Sequence, residues 1–296
     1  MSTLPRLWEI TLLALLGSAG VDGAELERAL VSPDRAALAA IGADAAAVGL
    51  EPHLVAGPRR VRLAAVRAAP AAPDAWALLG PLAAVARDPD RSLAREAAAS
   101  AATIAAAVDR EAAATFDMPD DELGAALDDW RAIGADAARP VDVRVRALEI
   151  GRAVAAALDD AVAYDTGARL ADPDPEIRRA ALELLPQRAP PLALIAERLT
   201  DDDDPVVAVV AAQALCSGLA FGDPAPPRLT AAGDRGLARI RELVVGADLP
   251  PAARLDAARC LAADASDASR RALRKLATTA PRSIRRAVRD LARTVR

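Results

Sequence analysis

Histidine occurs once in this chain of 296 residues, cysteine twice, and aromatic side chains make up only 2% of it. Each scarcity removes a class of chemistry. His53, in EPHLVAG, has no second histidine or cysteine at metal-ligand spacing, so the spacing of zinc sites is missing. It also has no G-x-S-x-G elbow or Cys–His set beside it that would make it a general base. Neither a phosphate-binding G-x-x-x-x-G-K-[ST] loop nor a dinucleotide fingerprint occurs. Cys216 and Cys260 lie in apolar helical stretches and read as small buried side chains; a bond between them is left open. No apolar run approaches the roughly 18 residues of a membrane span.

Lysine is nearly absent too, Lys275 being the single one, and arginine carries the positive charge, as a GC-rich genome favours. The formal net charge is −5, which gives no overall case for a polyanion. The distribution is uneven. From Arg270 to Arg296 there are about ten basic residues against Asp290, roughly +9, so the remainder carries about −14.

What the chain has is alanine and aliphatic residues; apolar types reach 53%. Alanine favours helix but buries little area, so close-packed thin layers of helices are expected rather than one thick core. The β-branched alternation of strands is rare. The predicted fold class is all-α.

The stretch TDDDDPVVAVVAAQAL, from Thr200 to Leu215, shows the organisation. Four aspartates before an apolar run suit a helix start: a carboxylate caps the free N–H groups, Pro205 fits the first turn, and the helix dipole favours negative charge. A calcium loop would need ligands alternating around a glycine turn and a distal carboxylate, and the following residues are apolar. Related stretches follow Gly57, Ala86, Arg139, Ala171, Leu249 and Ala280. Each is a turn rich in Pro and often Asp, then an aliphatic residue, usually an arginine, then small residues on one helical face. Aligning them places Ala65, Ala97, Ala147, Ala181, Ala211, Ala257 and Val288 in one column, about 30–34 residues apart with two gaps of about 46–50. A second apolar helix precedes most of them, as in PDAWALLGPLAAVA and DELGAALDDWRAIG. One hairpin of this kind cannot bury its own apolar face, so the units must stack.

With ADPDPEIRR, and above all Asp172, Pro173, Ile177 and Arg178, the chain resembles HEAT-repeat proteins, from about residue 50 onward. The resemblance implies a right-handed α-solenoid of stacked antiparallel helix pairs. It also implies cross-links between neighbouring repeats from a turn Asp and a helix Arg, matched by Asp172 with Arg178 and Asp248 with Arg254. Ala208 replaces the arginine in the stretch from Thr200, and Arg62, Arg144 and Arg285 stand without a matching Asp in their own turn.

Residues 1–50 are expected to form a helical cap or divergent first repeat, and 51–296 about seven repeats. Insertions are expected near 103–125 and in the Pro/Gly-rich loop 221–233, with a basic capping repeat at 267–296. The apolar run from Ile10 to Leu16 reads as a first helix and hence a cytoplasmic protein; the alternative is a signal peptide within 1–24 and export. Trp8, Trp76 and Trp130 read as core, and carboxylate pairs such as Asp128/Asp129 as solvated faces.

These features give no catalytic, cofactor or metal residues, and the expected role is a non-catalytic scaffold for a protein partner. A nucleic-acid binder, similar to HEAT-like DNA glycosylases, and an enzyme accessory, similar to HEAT-like lyases, are the alternatives. Candidate partner-binding residues are Arg270, Arg271, Arg274, Lys275, Arg282, Arg285, Arg286, Arg289 and Arg293. In the last helix these arginines lie opposite an apolar face of Ile284, Val288, Leu291 and Val295. A polar outer surface on the terminal repeat accounts for the same pattern without a partner.

Overall fold

The computed structural model describes residues 21–31, 36–45, 47–111, 120–158, 167–184, 200–219, 227–245 and 249–295. Among these the chain is all-α, with no strand. It forms two compact units, Met1–Asp165 and Thr166–Arg296.

The first unit holds α1 (Gly23–Val31), α2 (Ala37–Asp44), α3 (Ala47–Val55), α4 (Arg59–Ala68), α5 (Leu79–Ala86), α6 (Arg91–Glu111), α7 (Asp120–Ala135) and α8 (Val141–Ala157). Three hairpins, α3–α4, α5–α6 and α7–α8, pack internally, and each also meets the next through like helices: α3 on α5 on α7, and α4 on α6 on α8. The extra helices α1 and α2 lie on α4. The crossing of α2 on α4 is tight: a Cβ on Gly42 would stand 2.2 Å from the Ala68 carbonyl oxygen, so only glycine fits there.

In the second unit a 3₁₀ turn (Gly167–Ala171) precedes α9 (Pro175–Glu183). Then come α10 (Pro205–Leu219), α11 (Pro227–Val245), α12 (Pro251–Asp264), α13 (Asp267–Thr279) and α14 (Arg282–Thr294). The same rule holds: α9, α10, α12 and α14 pack in succession, as do α11 and α13, while α11–α12 and α13–α14 form hairpins.

The seven positions aligned from sequence are all at most 1% exposed. They lie in α4, α6 and α8 of the first unit and in α9, α10, α12 and α14 of the second, within each unit the helices that pack in succession. Small side chains there let helix axes approach closely, which accounts for the alanine content. Each unit has its own apolar cluster, with Trp130, fully buried, in the first and Leu261, Leu273 and Val288 in the second. The Trp130 indole N–H donates to the Leu79 carbonyl at 3.1 Å and ties α7 to α5.

Three expectations change. The Pro/Gly-rich stretch 221–233 is not all loop: Pro227 opens α11, where a proline lacks no hydrogen bond it would otherwise make. Trp76 is only half-buried. Cys260 is disulfide-bonded, so its reading as a plain buried thiol gives way. Residues 1–20 and 190–199, which carry Trp8, the apolar N-terminal run and the helix expected before Thr200, lie outside the described residues.

Candidate binding surface

The turns come first, because they decide which charges remain for a partner. Asp88-Pro-Asp90, Asp172-Pro-Asp174 and Asp202-Asp-Asp204 are built alike. The first aspartate closes the turn on itself, accepting from the N–H two residues on at 2.8, 3.0 and 2.9 Å. The second caps the following helix: Asp90 accepts from the Ser92 N–H at 2.9 Å, Asp174 from Glu176 at 2.9 Å, and Asp204 from Val206 at 2.8 Å and Val207 at 3.1 Å. The aspartate run is therefore a turn and a cap, as its spacing implies, with Asp201 and Asp203 left exposed.

The arginines at the fourth residue of the following helices have a common task. Arg62 Nε donates to Leu54 O at 3.1 Å, Arg144 to Gly134 O at 3.2 Å, and Arg254 to Leu249 O at 3.0 Å. Arg285 donates to Ala280 O at 2.9 Å, and Arg178 Nη1 to Asp172 O at 2.8 Å. Each holds a carbonyl at the end of the preceding segment, where a helix leaves acceptors unmatched.

Two of them reach further. Arg62 Nη1 bonds Asp88 at 2.7 Å, and Arg178 grips Asp202 through Nε at 2.8 Å and Nη2 at 2.7 Å. The carboxylate partner is thus in the next turn, not the arginine's own. At the expected pair of Asp172 with Arg178, the Asp172 side chain accepts within its own turn, its backbone carbonyl meets Arg178, and its charge adds to that of Asp202 on the guanidinium. The next-turn partner also shows why Arg62 needs no Asp in its own turn. Asp248 lies outside the described residues, and buried Arg254 clamps a carbonyl. Arg241 of α11 adds a clip to Asp264, the last residue of α12, at 3.6 Å.

The electrostatics follow this wiring. Burial pushes the Asp88 carboxyl up, but the Asp90 N–H and the Arg62 guanidinium outweigh it and hold the group below its ordinary 3.8. Asp90 is lowered chiefly by its bond to Arg59, then by Ser92 and the Leu93 N–H. At Asp264 burial again raises, and Ser266, Ser269 and Arg241 together win. Arg178 is raised by its bond to Asp202.

The candidate basic residues divide. Arg270 Nε bonds Ala265 O at 2.9 Å, with Asp267 3.9 Å away. Arg285 is held as described, and exposed Arg293 stands 3.5 Å from Asp290. Arg271, Arg274, Lys275, Arg282, Arg286 and Arg289 are exposed, and no carboxylate of the described residues lies within 4.0 Å of them.

His53 serves the fold: its Nε2–H donates to the Val21 carbonyl at 2.6 Å, so α3 holds the start of α1. A groove beside α5, the 3₁₀ turn before it (Ala75–Leu78) and α7 is lined by Trp76, Pro81, Leu123, Ala126, Glu122 and Asp129. Asp129 is bonded to Arg87 at 2.7 Å. Sequence reasoning missed this groove, since the two segments are distant in the chain; the signal present was an aromatic followed by Gly80-Pro81. No single helix among the described residues is long and apolar enough to cross a membrane.

No family model and no curated protein matches the chain.

Proposed function

We propose that this chain is a HEAT-type α-solenoid that acts as a non-catalytic scaffold for a protein partner. The observation that carries the reading is the use of its charged side chains. Arg62, Arg178 and Arg241 hold successive turns together, and His53, the single histidine, is fixed to a backbone carbonyl. The chemistry-bearing groups inside each unit thus support stacking, and surfaces are left for recognition. The groove of Trp76 offers a protein partner an aromatic anchor point beside two carboxylates.

Native capture from the source cell, followed by reconstitution of the purified pair, tests this. A saturable one-to-one complex that weakens at least tenfold on Trp76→Ala supports it. Turnover in a substrate panel that disappears in His53→Ala, with folding intact, would overturn it.

A further inference from the structure

We propose that the outer face of the last hairpin, α13–α14, binds the phosphate backbone of duplex nucleic acid. This site goes beyond the scaffold reading and stands on different residues, so either can fail alone.

Arg282, Arg286, Arg289 and Arg293 follow one another at spacings of four, three and four residues. At about 100° per residue they form a stripe about 60° wide, and at 1.5 Å rise it is about 16 Å long. On the other side Ile284 and Val288 are buried against the second core, so α14 is fixed in place and turns the stripe outward. Arg282, Arg286 and Arg289 have no carboxylate within 4.0 Å among the described residues, and exposed Asp290 reaches only Arg293, at 3.5 Å. Elsewhere, exposed Arg91, Arg152 and Arg235 also lack a described carboxylate, but they are scattered over three helices and form no stripe. Exposed Arg67, Arg95 and Arg146 all meet a carboxylate at 2.6–2.7 Å. An exposed helix face needs polarity, but neutral or mixed side chains would supply it as well.

The composition of the face selects the partner. Between the arginines stand Ser283, Ala287 and Thr294, all exposed and small. The exposed large apolar residues among those described are Val31, Val48 and Val55, all in the other unit. Arginine also serves in protein interfaces, but there it works beside a desolvated, well-packed centre, and this face has no large apolar side chain to form one. A membrane surface holds a soluble helix firmly only when apolar insertion adds to charge, and the apolar side of α14 is already buried. A single strand would want aromatic platforms for its bases. A duplex needs none of these; its charge density, about one per 1.7 Å of axis, binds to arginine alone. The acidic remainder of the chain is screened beyond about 8 Å at physiological salt.

The test is fluorescence anisotropy of a labelled random-sequence duplex DNA with the full chain, at 50 and 150 mM salt. Four phosphate contacts predict a slope of log K on log salt near about −3.6, so the tripling of salt weakens binding about 50-fold. The variant Arg282→Glu, Arg286→Glu, Arg289→Glu, Arg293→Glu should lose binding while keeping its melting curve. If that variant melts early, Arg286→Gln with Arg289→Gln reads the same effect as a flatter slope. No binding at 50 mM, a salt-independent affinity, or binding that survives the reversal overturns the proposal. Stronger binding to phosphatidylserine vesicles or to polyglutamate than to the duplex also overturns it.

Discussion

Arg62 and Arg178 on one side and Arg286 and Arg289 on the other are the same residue in the same kind of helix, with opposite surroundings. The first pair is half-buried, bonded to a carbonyl behind and a carboxylate in the next turn. The second pair faces solvent with no carboxylate near. Arg62 and Arg178 reach an aspartate of the next turn, whereas no carboxylate of the described residues stands beside Arg286 or Arg289. An arginine's role here is therefore set by what packs against its helix, and the comparison can be tested from both ends.

The largest effect belongs to Arg178→Ala. It leaves Asp202, whose side chain is only 7% exposed, without its partner. Stranding a buried carboxylate costs about 3 kcal/mol, seen as a fall in the urea midpoint. Arg62→Ala comes next, at about 2 kcal/mol, since it removes one charge-assisted bond and one carbonyl clamp at a more exposed site. It also changes the acid limb. The Asp88 carboxyl is lowered in the folded chain, so its stabilisation is present above the ordinary 3.8 and lost as pH falls below it. Arg62→Ala should therefore flatten the loss of stability as pH falls below the ordinary 3.8, measured by urea melts at stepwise lower pH.

Ala265 is the one non-glycine residue of positive φ among those described, at 51°, and ends α12 in the left-handed conformation. Ala265→Gly relieves that strain and should raise stability by about 1 kcal/mol in a thermal melt. The smallest effect is expected for Arg286→Ala or Arg289→Ala, within about 0.5 kcal/mol, because neither side chain is bonded. A loss comparable to that at Arg62 would erase the contrast.

The sequence made much of this readable. The column from Ala65 to Val288 was found by spacing and is buried throughout, because helix layers that touch along a stack demand small residues at a fixed interval. The cap at Asp204 was equally legible, since caps depend on residues a few places apart. The partner of Arg62 was not. Asp88 is 26 residues away, and which turn stands opposite a guanidinium depends on the offset between stacked hairpins. The Trp76 groove was hidden for the same reason, as it joins α5 to α7. Enrichment in proline and glycine points to a loop where the helix from Pro227 begins, yet proline is well suited to a first turn.

The most direct measurement is a double-mutant cycle on Arg178 and Asp202, with urea unfolding of the native chain, Arg178→Ala, Asp202→Ala and the pair. If one turn is clipped to the next through this contact, the two losses are not additive, and a coupling of about 2 kcal/mol remains. Additive losses, with coupling near zero, would contradict the account that arginine to next-turn aspartate contacts hold successive units together.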